Sequence, residues 1–174
     1  MTRTLSRPVN HLLAALSTLA YEQIAEQLEP VSLTFGQVLC EPGEQISAAY
    51  FPDFSMISLG CQLEGNIIIE SGLVGAEGMV GLPLMLSNGI SFTQITIPIA
   101  GGAMKLPAQA LRQVVGQGGE LQTALLQYTQ ARLNQTSQLA ACRARHCIEQ
   151  RLARWLLSVQ DTVQQNQLLL TISL

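Results

Sequence analysis

The run Ser55-Met56-Ile57-Ser58-Leu59-Gly60-Cys61-Gln62-Leu63 is followed by Glu64-Gly65-Asn66 and then by Ile67-Ile68-Ile69-Glu70-Ser71-Gly72. Two apolar segments containing β-branched residues flank a turn whose Gly and Asn tolerate positive φ, which predicts a hairpin with strands over Ser55–Leu63 and Asn66–Gly72. Working outward, the same texture of short runs and turns continues through Val31–Phe35, Gln37–Cys40, Ala48–Phe51, Phe92–Ile99 and Ala103–Leu106, with Pro42-Gly43 as a further turn. All fourteen glycines lie between Gly36 and Gly119. Glycine serves turns and weakens helices, so a glycine-rich centre between glycine-free flanks reads as sheet between helices. Seven or eight short strands at this spacing predict an antiparallel roll, jelly-roll-like and eight-stranded, from about Val31 to Leu106.

The flanks have helical spacing. Leu12, Leu13, Leu16, Leu19, Ile24 and Leu28 fit two short helices closed by Pro30. After Gly119 the chain is rich in Leu, Ala, Gln and Arg, good helix formers. A helix from Glu120 to Cys147 would be about 40 Å long and needs a partner along most of its length. Leu121, Leu125, Tyr128, Leu139 and Cys142 fit one heptad seam, and Leu126, Leu133, Ala140 and Cys147 fit another; Leu121, Leu125, Tyr128, Leu133 and Leu139 are the expected dimer contacts. A second amphipathic helix over Ile148–Val163 puts Ile148, Leu152, Trp155, Leu156 and Val159 on one face. The expected organisation is therefore α+β. N-terminal helices occupy residues 1–30, the roll 31–119, the long dimerisation helix 120–147, and a separate C-terminal piece 148–174.

Hydrophobic residues make up 48% of the 174-residue chain and charged ones 12%, which excludes a disordered chain. No apolar run approaches the roughly 20 residues of a membrane span, and Met1–Pro8 lacks the apolar core of a signal peptide. Cys40, Cys61, Cys142 and Cys147 do not form a secreted disulfide framework, so reduced thiols in a cytoplasm are expected. Charge is divided: residues 1–130 hold ten acids and four bases, whereas residues 131–174 hold five arginines against Glu149 and Asp161. That division suggests two jobs in one chain.

Several stretches carry a family likeness: Phe35-Gly36-Gln37-Val38-Leu39, Glu41-Pro42-Gly43-Glu44, Tyr50-Phe51-Pro52, Val74-Gly75-Ala76-Glu77-Gly78-Met79-Val80-Gly81-Leu82-Pro83, and Glu149-Gln150-Arg151-Leu152-Ala153-Arg154-Trp155-Leu156-Leu157. In this order they resemble bacterial Crp/Fnr transcription regulators over nearly the whole chain. The resemblance implies a cyclic nucleotide-binding-like roll, a dimerisation helix and the first helix of a DNA-binding domain. It also implies that Leu168-Leu169-Leu170-Thr171 leads toward a helix-turn-helix that this chain does not contain. The expected partners are a second copy of the chain and a small-molecule effector, with DNA bound only by a longer form and no membrane. The C-terminal arginines then read as solvated helix faces.

A cyclic nucleotide needs backbone N–H groups and an Arg for its phosphate, and a carboxylate for its ribose. Matching Gly81 to the family's phosphate cassette puts Leu82 where the ribose-binding Glu belongs and Ser91–Thr93 where the Arg belongs. No Arg or Lys occurs between Arg7 and Lys105. The expected effector pocket thus involves Gly81, Leu82, Phe92 and Thr93, with Leu84, Met85, Ile95 and Ile97 as further apolar lining. Arg132 is the one cation expected to reach it, from a partner's long helix. Such a pocket is expected to reject cyclic AMP and cyclic GMP; the alternative is a cyclic nucleotide sensor completed across the dimer. Glu77, between Gly75 and Gly78, reads as an exposed turn residue.

Other chemistry is weakly supported. A cupin-like metalloenzyme requires histidines inside the barrel, and His11 and His146 both lie in the helical flanks. Cys142 and Cys147 point to different helix faces with no further thiolates nearby, which disfavours an iron–sulfur centre, and a haem held by His146 or Cys61 lacks any supporting pattern. A Ser-His-Asp triad fails for want of a sheet histidine. No catalytic residue, metal or cofactor is expected.

Overall fold

The computed structural model describes residues 8–163. Leu168–Thr171, the segment read above as leading toward a helix-turn-helix, lies outside them. The elements run α1 (His11–Ala14), α2 (Thr18–Ala25), β1 (Glu29–Leu33), β2 (Val38–Cys40), β3 (Ala48–Pro52), β4 (Met56–Gln62), β5 (Ile68–Val74), α3 (Pro83–Leu86), β6 (Thr93–Ile99), β7 (Gly101–Pro107), α4 (Ala108–Gly116), α5 (Glu120–Arg145) and α6 (Ile148–Val163). All strand pairs are antiparallel, in one sheet of order β1-β7-β3 and a second of order β2-β6-β4-β5. The expected β-roll with helices on both flanks is the observed architecture.

The hairpin that suggested the sheet pairs Ile57 with Val74 through Gln62 with Ile68. Its turn needs the left-handed region at two consecutive positions, Gly65 at φ 77° and Asn66 at φ 60°. The strand count differs from the expected eight. Seven strands form among the described residues, and the remaining extended stretches meet only at the single bridges Gln45–Ile90 and Tyr50–Val80. Between β5 and β6 the chain turns through Gly75, Gly78, Gly81 and Gly89 around α3, leaving no run long enough for a further ladder. Pro30 lies in β1 rather than capping a helix, at a sheet edge where its missing N–H costs no ladder bond.

One apolar core joins the sheets to the flanking helices, with Phe51, Ile57, Ile97, Leu106, Leu111 and Leu125 among its fully buried members. Asn10 is completely buried and ties the N-terminal helices down. Its Oδ1 accepts from the backbone N–H groups of Leu12 and Leu13 at 3.1 and 3.3 Å, capping α1, while its Nδ2 donates to the carbonyls of Pro52 and Gly78 at 2.9 and 2.8 Å. Glu120, at the start of α5, accepts from the Ser17 N–H and hydroxyl at 2.7 and 2.5 Å, and these bonds hold its carboxyl below the usual range.

Helix α5 has 26 residues, about 39 Å at 1.5 Å per residue. It ends at Arg145 rather than Cys147, because His146 adopts extended backbone (ψ 142°) and breaks the helix before α6. The larger correction concerns the expected seam. Leu121, Leu125 and Tyr128 are buried in the chain's own core, so this side of α5 faces inward and is closed to a second chain. The reversal at Gly118 and Gly119, both at positive φ, lays α5 back along the roll. Leu139 is half-buried beneath α6. Leu133, at 59% exposure, remains free, and the alternative seam Leu126, Leu133, Ala140 and Cys147 is exposed throughout.

Candidate effector pocket

The turn Gly75–Leu82 returns the chain from β5 to the face of β3. Tyr50 and Val80 exchange backbone hydrogen bonds at 3.0 and 2.9 Å, drawing the next residue against β3. Gly81 has φ 116°, a conformation that favours glycine, and lies close enough to β3 that a Cβ there would stand a tight 3.1 Å from Ala49 Cα. Leu82 follows in helical conformation as the residue preceding α3.

These elements frame a half-open pocket of about 180 Å³. Gly81, Leu82, Phe92, Thr93 and Arg132, the five residues singled out from sequence, all line it. Ile46, Leu59, Met79, Val80 and Ile95 supply further apolar wall, and Ser91 and Pro83 complete it. Of the other expected lining residues, Leu84 and Ile97 belong to the core and Met85 packs against it; none of the three lines the pocket. Ile97 lies on the same face of β6 as Thr93 and Ile95, further along the strand and deeper in the core.

The cation arrives differently from the expectation. Arg132 of this same chain lines the pocket from α5, so no partner helix is needed to bring it there. Its Nη1 donates to the Leu73 carbonyl at 2.9 Å and to Gln135 Oε1 at 2.5 Å. Its Nη2 lies 2.8 Å from where a Cβ on Gly72 would stand, so Gly72 makes room for the guanidinium. The guanidinium is thus engaged with Gly72, Leu73 and Gln135, which line the neighbouring recess, while the pocket under Leu82 is almost wholly apolar. Among the described residues Nη2 and Nε of Arg132 have no protein hydrogen-bond partner. Ser91 is buried and its hydroxyl is engaged locally, donating to the Thr93 carbonyl at 2.7 Å and accepting from the Thr93 N–H at 3.3 Å. Phe92 stands 82% exposed at the rim. Glu77 is exposed and accepts from the Gly75 N–H at 3.0 Å, as its turn position suggested.

A second recess of about 310 Å³ separates β5 from α5 and α6. Glu70 organises it: Oε1 accepts from Trp155 Nε1 at 2.9 Å, Oε2 from the Ser58 hydroxyl at 3.2 Å, and its backbone carbonyl from Arg143 Nη2. Sequence reasoning did not find this junction, because it joins residues 85 positions apart that carry no shared motif. Among the described residues no three His, Cys, Asp or Glu side chains gather as metal ligands, and no helix is long and apolar enough to cross a membrane.

Comparison with solved structures places this geometry. A putative Crp/Fnr-family transcriptional regulator from Eubacterium rectale superposes with a TM-score of 0.73 at 14% identity, covering 92% of this chain and 76% of the other. This is the Crp/Fnr regulator fold. The c-di-GMP-responsive global regulator CLP of Xanthomonas campestris superposes with a TM-score of 0.69 at 13% identity, covering 86% of this chain and 75% of that one. A cyclic nucleotide-binding domain from Methylobacillus flagellatus gives 0.65 at 13% identity over 80% and 84% of the two chains. No protein-family model matches the chain, and no curated protein matches it by sequence. At these identities the likeness concerns the Crp/Fnr fold, and the chemistry must be read from the pocket itself.

Proposed function

We propose that the chain is the sensor and dimerisation module of a Crp/Fnr-type transcription regulator, acting in the cytoplasm without catalysis of its own. Its effector occupies the pocket under Leu82 and Arg132. The observation that carries this reading is the composition of that pocket, because one space joins the roll, through Thr93 of β6, to the long helix, through Arg132. An occupant there changes how α5 rests on the roll, which is what a sensor of this architecture has to transmit. Dimerisation uses the outward seam of α5 around Leu126 and Leu133, since the inward side is closed by the core. DNA reading would be the task of a helix-turn-helix joined to such a module. The effector is not an ordinary cyclic nucleotide: Leu82 stands where a ribose-binding carboxylate is needed, and the pocket lining is almost wholly apolar.

Two measurements test the proposal. Sedimentation is expected to give a dimer at micromolar concentration, which Leu133→Asp converts to a folded monomer; a wild-type monomer unchanged by that substitution refutes the dimer. Calorimetric titration is expected to give no heat with cyclic AMP or cyclic GMP. Micromolar binding lost in Arg132→Ala would instead establish a nucleotide sensor.

A further inference from the structure

We infer that the half-open recess between β5, α5 and α6 binds a phosphoryl group, the head of a small phosphomonoester. This site is separate from the pocket under Leu82, and its failure would leave the sensor reading untouched. The pattern of α6 comes first. Ile148, Arg151, Leu152, Arg154, Trp155 and Ser158 recur at three- and four-residue spacing and all line the recess. The helix therefore turns two arginines toward the roll, on the stripe where a docked helix ordinarily carries hydrocarbon. Arg143 of α5 lines the same space from a second helix.

These guanidiniums lack acceptors. Among the described residues the only ion pair joins Lys105 and Glu29, so none of the three arginines is paired with a carboxylate. Arg143 commits one nitrogen, Nη2, to the Glu70 backbone carbonyl. The side chains of Arg151 and Arg154 make no hydrogen bond among the described residues, and Arg154 Nε is buried without a partner. A buried guanidinium N–H costs free energy until an acceptor meets it. The carboxylates of the recess are engaged elsewhere: Glu70 accepts from Trp155 and Ser58, and Glu77 from the Gly75 N–H. The missing acceptor is therefore an anion from outside the chain. A phosphomonoester offers three oxygens to three guanidiniums and carries close to two negative charges, whereas a carboxylate offers two oxygens and one charge. Glu70 and Glu77 stand on the roll side, and residues 1–130 hold ten acids against four bases. That surface repels an extended polyanion such as a nucleic-acid backbone, but not one compact group set among the arginines. Bound there, the phosphoryl group offsets the mutual repulsion of the arginines and ties α5 to α6.

Trp155 lines the recess and is the chain's only tryptophan, so binding is read from its emission as well as from heat. The intact chain is titrated with inorganic phosphate, glycerol phosphate, acetate and a short duplex DNA. Ionic strength is held constant with chloride, at slightly alkaline pH, above the second phosphate pKa of about 6. Both phosphates are expected to saturate one site and change the emission, with acetate at least about tenfold weaker, the loss of one charge-assisted contact. Arg151→Gln and Arg154→Gln should each weaken both phosphates about tenfold for the same reason. Arg145→Gln, on the exposed end of α5 outside the recess, should leave them unchanged. Arg151 is itself exposed, so its replacement carries the test if Arg154→Gln fails to fold. Equal affinity for acetate and phosphate, indifference to the α6 variants, or an absence of saturable binding overturns the inference. An equal loss in Arg145→Gln reduces the effect to general attraction and overturns it as well. Duplex DNA binding more tightly than glycerol phosphate also overturns it, because the recess then serves a polymer backbone rather than a compact ligand.

Discussion

The Tyr128 phenol fills the space in which a Cβ on Gly78 would stand, with Cζ 2.6 Å and Cε2 2.7 Å from that position. Its hydroxyl donates to the Met79 carbonyl at 3.1 Å, and burial raises the phenol's pKa. This contact seats α5 on the glycine turn that also shapes the pocket. Gly78→Ala is expected to expel the ring and destabilise the fold by about 1–3 kcal/mol through overpacking, whereas Tyr128→Phe removes one hydrogen bond, worth about 1 kcal/mol. Urea denaturation of both variants and of the double variant should show strong non-additivity. Additive effects would mean the two residues act separately.

Asn10 offers a second test of the same region. Asn10→Ala removes the α1 cap, worth about 1 kcal/mol, and leaves two buried carbonyls without their donor, for a total loss of about 2–4 kcal/mol. Asn10→Asp keeps the capping oxygen but sets a buried carboxylate oxygen against the two carbonyls that the amide now satisfies, so at neutral pH it should be at least as destabilising as Ala. A loss below about 0.5 kcal/mol in Asn10→Ala, typical of an unconnected surface site, would contradict this tie.

These contacts show what was legible in the sequence and what was not. The roll could be read because Gly65-Asn66, the glycine partition and the β-branched runs are local signals tied to local geometry. The Gly81, Leu82, Phe92 and Thr93 part of the pocket follows from the family resemblance, through the cassette matched at Gly81, and not from any local signal in the residues themselves. The inward face of α5 could not be read, since Leu121 and Leu125 are no more apolar than Leu126 and Leu133. Only the reversal at Gly118-Gly119 decides which pair meets the roll. That Arg132 meets the roll of its own chain is not legible either, because its contact with Leu73 spans 59 residues and no periodicity encodes it.

Asp53 introduces a pH dependence. Burial raises its carboxyl above the ordinary value, a hydrogen bond from the Asn10 backbone offsets part of that effect, and Oδ1 is buried with no partner among the described residues. The folded chain therefore retains this proton at a pH where the unfolded chain has lost it. Its contribution to stability is complete below the unfolded value and declines as pH rises through the folded one. Asp53→Asn should thus flatten the stability profile between about pH 4, where an unperturbed Asp titrates, and neutrality. It should also melt higher than wild type at neutral pH. Parallel profiles for the two proteins over that range would show that Asp53 does not carry the effect.

The last prediction concerns how α6 is attached. Trp155 is the only tryptophan of the chain, so its emission reports on the junction between the roll and α6 without an added label. Its indole N–H donates to Glu70 Oε1 at 2.9 Å, while Ser58 holds the other carboxylate oxygen at 3.2 Å. Glu70→Ala removes the acceptor and should free α6 locally. Emission should then shift to longer wavelength and quenching by acrylamide increase, with global stability falling by no more than about 1 kcal/mol because the site is half-exposed. Glu70→Gln keeps a carbonyl oxygen for the indole and should retain the wild-type spectrum, and Ser58→Ala should lie between the two. The comparison separates attachment from charge: if Gln behaves like Ala, the negative charge of Glu70 holds α6, through the α6 arginines Arg151 and Arg154 that line the same recess rather than through Trp155. If neither variant alters emission or quenching, α6 is held by its apolar contacts alone, with Val159, fully buried, as the next residue to substitute.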